Sequence, residues 1–155
     1  MQPVVLQING TEHHIFIEPS WTLLHVLREQ LGFTGTKCGC DTAQCGACKV
    51  IVDGVAQNSC AVLARKAEGK EIFTIEGMQA DDGTLHPIQQ AFIDCGAVQC
   101  GYCTPGMVMS AKALLDKNPD PTEEEVRAAI DKNLCRCTGY VKIVEAILEA
   151  AQRMR

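Results

Sequence analysis

Apolar residues occupy alternate positions at the start of the chain, at Val4, Leu6 and Ile8 and again at Ile15 and Ile17. Between the two runs stands Asn9-Gly10, a strong two-residue turn signal, so the pattern predicts a β-hairpin. The spacing then changes. Leu23, Leu24, Leu27 and Leu31 recur at helical intervals, and Gly32 is placed to stop a helix. A second hairpin is expected at Asp53-Gly54, between Lys49–Val52 and Val55-Ala56, and Glu71–Ile75 reads as a last strand. The first half is therefore expected to be a small mixed sheet packed on one helix.

From Pro87 onward the pattern is helical throughout. One helix is expected from Pro87 to about Cys95, and another from Pro105 to about Lys117 with Thr104 as N-cap. Thr122 and Glu125 form a capping box for a third, to about Asn133, and Val141 to about Arg153 gives a fourth. This half reads as a four-helix bundle. The polar stretch Gly77–Thr84, with Asp81-Asp82-Gly83, reads as the linker. The expected class is α+β, with one domain over residues 1–77 and a second over 85–155.

The 155 residues are 46% hydrophobic, enough for ordinary cores. A net charge of -5 and only 5% aromatic residues remove both the basic stripe and the stacking platform of a nucleic-acid binder. The first Lys or Arg is Arg28, so the start lacks the charged region of a secretory signal, and no apolar run is long enough to span a membrane. A cytoplasmic location is expected, with no nucleic-acid partner and no transmembrane segment. In a reducing compartment ten cysteines point to metal rather than to disulfides.

Their spacing narrows the metal. GCDTAQCGAC places Cys40, Cys45 and Cys48 in the plant-type 2Fe-2S arrangement C-x4-C-x2-C, with Cys60 as the distant fourth thiol. Zinc knuckles seldom use a four-residue gap. Gly39 and Gly46 are expected to supply unusual backbone angles as the loop wraps a cluster. The helical half offers Cys100-x-x-Cys103 and Cys135-x-Cys137, each just before a helix, where positive helix ends partly offset thiolate charge. Together these read as a second cluster site, with zinc as the rival.

In GCDTAQCGAC, IEGM (Ile75–Met78), QCGYCTPG (Gln99–Gly106) and NLCRCTGY (Asn133–Tyr140), taken in this order, the chain resembles the iron-sulfur subunits or domains of molybdenum hydroxylases, such as xanthine dehydrogenase, aldehyde oxidoreductase and aerobic carbon monoxide dehydrogenase. The resemblance implies a β-grasp ferredoxin-like domain binding one 2Fe-2S cluster through Cys40, Cys45, Cys48 and Cys60. It implies a second cluster held by Cys100, Cys103, Cys135 and Cys137 in the four-helix domain. It further implies that Gln99 and Cys137 face the pterin of a molybdopterin-type molybdenum cofactor on a large partner subunit. Electrons would pass singly through both clusters toward FAD on a medium subunit. CDTAQC and DDGTL lean toward the carbon monoxide dehydrogenase type. Where many relatives have glycine this loop has Asp41 and Ala43, and alanine resists positive φ.

No glycine-rich phosphate loop and no hydrolase triad occurs, so the chain is expected to carry electrons rather than to act on substrate itself. The alternatives are a free-standing ferredoxin-like carrier and a zinc-stabilised interaction module. Cys38 and Cys95 fit neither quartet and are expected to be free thiols packed in the fold, with Cys38 an alternative ligand. His13, His14, His25 and His86 are expected to be structural or solvent-facing. Glu123-Glu124-Glu125 favours a helix N-terminus. Arg136, between two ligands, either stabilises a reduced cluster or caps a surface.

Overall fold

Asn9 and Gly10 lie at φ 52° and 78°, the two left-handed residues a tight hairpin turn requires. They join β1 (Gln2–Ile8) to β2 (Thr11–Ile17) in the computed structural model, which describes residues 1–155. Asp53 and Gly54, at φ 48° and 78°, do the same for β3 (Lys49–Val52) and β4 (Val55–Asn58). The short strand β5 (Glu71–Phe73) lies between the hairpins, parallel to β1 and antiparallel to β3, so the sheet order is β2-β1-β5-β3-β4. The alternation read in β1 is the buried face: Val4, Leu6 and Ile8 are almost wholly excluded from solvent.

Two expectations in this half need correction. The strand expected through Ile75 ends at Phe73, because Thr74 turns its amide to the Asn9 side chain (2.8 Å) and accepts from Asn9 Nδ2 at its hydroxyl (2.9 Å). Ile75–Gly77 then forms a 3₁₀ turn. The helix expected from the leucine spacing is α-helical only over α1 (Leu23–His25), capped by the Thr22 hydroxyl, and continues as a π-helical turn over Val26–Gln30. The wider turn still buries Leu23, Leu24, Val26 and Leu27, and Gly32 at φ 73° ends it.

The second half contains α2 (Pro87–Asp94), α3 (Thr104–Leu115), α4 (Glu123–Ile130) and α5 (Val141–Arg153). The capping box of Thr122 and Glu125 is present; a second, unanticipated one uses His86 and Gln89 at the start of α2. Thr104 is not the N-cap of α3 but its first residue, with Cys103 at the cap position. The expected run of α4 toward Asn133 stops at Ile130, and Asn133 instead serves the joint described below. Helix α2 packs on α5, α4 touches both α3 and α5, and α3 also lies against β3. No helix is long and apolar enough to cross a membrane.

The architecture is thus mixed, a five-stranded sheet with five helices, and its apolar interior has two centres. One, around Leu6, Ile8, Leu23, Leu27 and Val50, lies between the sheet and α1. The other, around Phe92, Met107, Met109, Ile143 and Ile147, lies among the later helices and extends to Ile51 and Met78. Asn133 stitches the halves together: its Oδ1 accepts from Ser110 Oγ (2.8 Å) and its Nδ2 donates to the Gly46 carbonyl (3.3 Å), all in the interior. Replacing Asn133 by Leu strands the Ser110 hydroxyl and leaves the Gly46 carbonyl to the Lys49 amide alone (3.3 Å), so urea unfolding should show a loss of about 2 kcal/mol. Ser110→Ala, which leaves fewer groups unpaired, should cost about 1 kcal/mol in the same measurement.

Candidate functional site

The first cysteine loop hangs from anchors on both sides. Arg28, on the π-helical turn, donates through Nη1 to the carbonyls of Thr34 (3.0 Å) and Thr36 (2.7 Å). Glu76 accepts from the Gly35 amide (2.8 Å) and from the Thr74 hydroxyl (2.7 Å). A Cβ on Gly35 would lie 2.4 Å from Ile75 Cγ2, so only glycine admits this approach. Glu76 and Gly35 were missed as functional residues. IEGM carries the signal for Glu76, whose carboxylate holds the entry to the loop, whereas Gly35 lies 41 residues earlier with no local signal.

Within the loop, amides point at sulfur. Those of Thr42 and Cys45 donate to Cys40 Sγ at 3.3 and 3.4 Å, and that of Ala47 to Cys45 Sγ at 3.5 Å. The Thr42 hydroxyl and amide, with the amides of Cys45 and Gln44, bring the Cys40 thiol down to about 6. Cys60 behaves oppositely: burial, then its contact with the Cys48 thiol, pushes it up to about 12. Asp41 and Ala43 both adopt left-handed angles, φ 56° and 60°. The resistance of alanine is overcome by a tie: Asn58 Nδ2 donates to the Ala43 carbonyl at 2.8 Å. Of the two expected angle-makers only Gly46 has positive φ, 73°. Gly39 serves closeness instead, since a Cβ there would lie 2.8 Å from Cys45 Sγ.

The second site is built where two loops meet at the starts of α3 and α5. The thiol of Cys103 contacts that of Cys135, and Cys137 contacts Cys100, so each motif contributes one member to each pair. Burial and then the neighbouring Cys135 push Cys103 up to about 12. Burial also works to raise Cys135, but the hydroxyl and amide of Thr138 prevail and hold it low. Cys137 is raised, chiefly by its contact with the Cys100 thiol. A cavity of about 230 Å³ opens among Cys100, Cys103, Leu134, Cys135 and Cys137. Gln99, Cys100 and Cys137 are exposed, whereas Cys103 and Cys135 are half-buried. This site has an outer and an inner side.

The inner side meets the first site directly. The Leu134 amide, beside Cys135, donates to the Cys45 carbonyl at 2.8 Å, and Tyr102 Oη donates to the Cys38 carbonyl at 2.6 Å. The donor sets suit 2Fe-2S groups: four thiols at each site, amides aimed at sulfur, and a glycine at closest approach. Deprotonation of the raised thiols Cys60 and Cys103 would accompany binding of iron there. No three His, Cys, Asp or Glu side chains close round a single point as one metal ion would need; three thiol pairs are in contact, Cys48 with Cys60, Cys103 with Cys135 and Cys100 with Cys137. Cys95 is half-buried at the end of α2, packed on the helical core. Cys38 is exposed, which corrects the expectation of a packed thiol. His86 caps α2, His25 stacks on Trp21, and His14 lies exposed beside Glu12.

A plant-type cysteine loop in a sheet, joined to paired cysteine loops among helices, defines a chain of the double iron-sulfur class. Comparison with known proteins agrees. Residues 6–74 match the 2Fe-2S iron-sulfur cluster binding domain and residues 74–148 the 2Fe-2S binding domain family. The chain is 52% identical, over 96% of its length and 94% of the other's, to the nicotinate dehydrogenase small FeS subunit of Eubacterium barkeri. It superposes with TM-score 0.93 on a chain of quinoline 2-oxidoreductase from Pseudomonas putida 86, at 41% identity, covering 97% of itself and 94% of that chain. With the aldehyde oxidoreductase of Desulfovibrio desulfuricans ATCC 27774 the TM-score is 0.95 at 46% identity, and the whole chain corresponds to only 17% of that longer protein. The chain belongs to the iron-sulfur subunits of the molybdenum hydroxylase family.

The left-handed Ala43 yields a test of the loop. Ala43→Gly should raise stability by about 1 kcal/mol in denaturant titration, because glycine relieves most of the left-handed penalty. Gly39→Ala, which drives a methyl against Cys45 Sγ, should instead lower the iron retained by the purified protein.

Proposed function

We propose that this chain is the electron-transfer subunit of a molybdenum hydroxylase, standing between a large subunit with a molybdopterin-type cofactor and a medium subunit with FAD. A 2Fe-2S group at each site would carry one electron at a time. Cys40, Cys45, Cys48 and Cys60 would hold the first group, and Cys100, Cys103, Cys135 and Cys137 the second. We read residues 1–77 as a β-grasp ferredoxin-like domain and 85–155 as a four-helix bundle domain. The two apolar centres and the exposed residues from Gln79 to Thr84 support that division, although Met78 at the start of the expected linker is buried in the helical core. The ten free cysteines support a reducing, cytoplasmic setting.

One observation carries the reading: the helical site is joined on its inner side to the first through Leu134 N–H and the Cys45 carbonyl, and is open on its outer side at Gln99, Cys100 and Cys137. That two-sidedness supports an order in which Gln99 and Cys137 meet the partner's pterin and the sheet-domain site lies farther out, toward the flavin. The residues of this chain fix the thiols, aim amides at sulfur and bury Cys48 fully and Cys103 in part, all of which tune an electron carrier.

Purified without oxygen, the chain should contain about four irons and four acid-labile sulfides, and show two distinct spin signals when reduced. Cys60→Ser should remove one signal and Cys135→Ser the other; loss of the same signal from both would break the ligand assignment. In the assembled enzyme Gln99→Ala should keep both signals and slow their reduction by substrate, with reduction by dithionite unchanged.

A further inference from the structure

The loop that supplies Cys135 closes on itself through three hydrogen bonds. The Cys135 amide donates to Tyr140 Oη at 2.9 Å, the Tyr140 amide donates to Thr138 Oγ1 at 3.2 Å, and Thr138 Oγ1 donates to Cys135 Sγ at 3.1 Å. To close this ring the backbone takes two successive left-handed residues, Gly139 at φ 66° and Tyr140 at φ 71°. An aromatic residue enters that region only when its surroundings hold it there, at a cost of about 1–3 kcal/mol. The strain is offset by the bonds it makes possible.

The direction of the Thr138 hydroxyl follows from the same ring. A hydroxyl has a single proton to give, and here the Tyr140 amide already occupies an acceptor position on Oγ1. With Cys135 as a thiolate, which has no proton to give, the hydroxyl proton is the one that joins the pair and points at Sγ. Thr138 and Cys135 are both part-buried, which strengthens a hydrogen bond to a charged sulfur. The neighbouring thiol of Cys103 has no such donor among the hydrogen bonds of this site and is more deeply enclosed.

We infer that Thr138, aimed by Tyr140, is a positioning residue that sets the reduction potential of the helical site by donating to Cys135 Sγ. Added negative charge spreads onto the thiolate sulfurs, and a donor fixed on one of them favours the reduced form. This rests on the reading of Cys100, Cys103, Cys135 and Cys137 as cluster ligands.

The test is a redox titration of the assembled enzyme followed by the two spin signals separately. Thr138→Val should shift the helical centre about tenfold against reduction, which for one electron is about 59 mV. The sheet-domain centre should titrate as in the wild type, and Thr138→Ser should restore the wild-type value at the helical centre. An unchanged potential in the valine variant would overturn the inference alone, as would an equal shift in valine and serine variants. If valine and alanine variants both lost the helical centre while serine kept it, the hydroxyl would be needed for assembly rather than for potential, which also overturns it. Absence of a second centre from the wild-type protein would overturn the ligand assignment as well.

Discussion

Everything in this molecule depends on two loops meeting backbone to backbone. A Cβ on Gly46 would lie 2.4 Å from the Lys132 carbonyl, and one on Gly106 would lie 2.3 Å from the Gly46 carbonyl, so neither position admits a side chain without displacing main chain. That closeness brings the Cys45 carbonyl within reach of the Leu134 amide and the Gly46 carbonyl within reach of Asn133. The first cysteine loop and the NLCRCTGY loop thereby become one surface. Together with the packing of α3 on β3 around Ile51, it fixes how the sheet and the helices sit against each other.

The features legible in the sequence were those written in short stretches. Asn9-Gly10 and Asp53-Gly54 announced their hairpins because a two-residue turn needs left-handed angles, and Thr122 with Glu125 announced a helix start because a capping box spans four residues. The cysteine motifs stood out for a related reason: within each, spacing limits which sulfurs can share a group. What the sequence concealed depends on distant partners. Glu76 finds Gly35 across 41 residues and Asn133 finds Gly46 across 87, and no local pattern declares either pair. Ala43 shows the same limit, since its reluctance to take positive φ was a sound expectation overridden by Asn58. The π-helical turn escaped because leucine spacing reports which residues are buried but does not fix the pitch of a turn this short.

The two sites share ligand chemistry but differ in setting. The first is a loop on the sheet, its outer residues Asp41 to Gln44 exposed, its thiols ranging from the low Cys40 to the high Cys60. The second lies between helix starts, with one face against the first site and the other open. Such asymmetry suits a carrier that takes electrons on one side and gives them up on another, because hydrogen bonding and burial set the two potentials apart. On the proposed reading these residues would define a path, which is why no substrate is written in this chain.

The joint is expected to hold the two sites at one fixed separation. It is tested most directly by the spin–spin interaction between them in the fully reduced, frozen enzyme. A rigid joint should give a single well-defined splitting on both signals, which disappears from each when the other centre is removed. Two signals with no mutual splitting, or a splitting smeared over a broad range of separations, would contradict it.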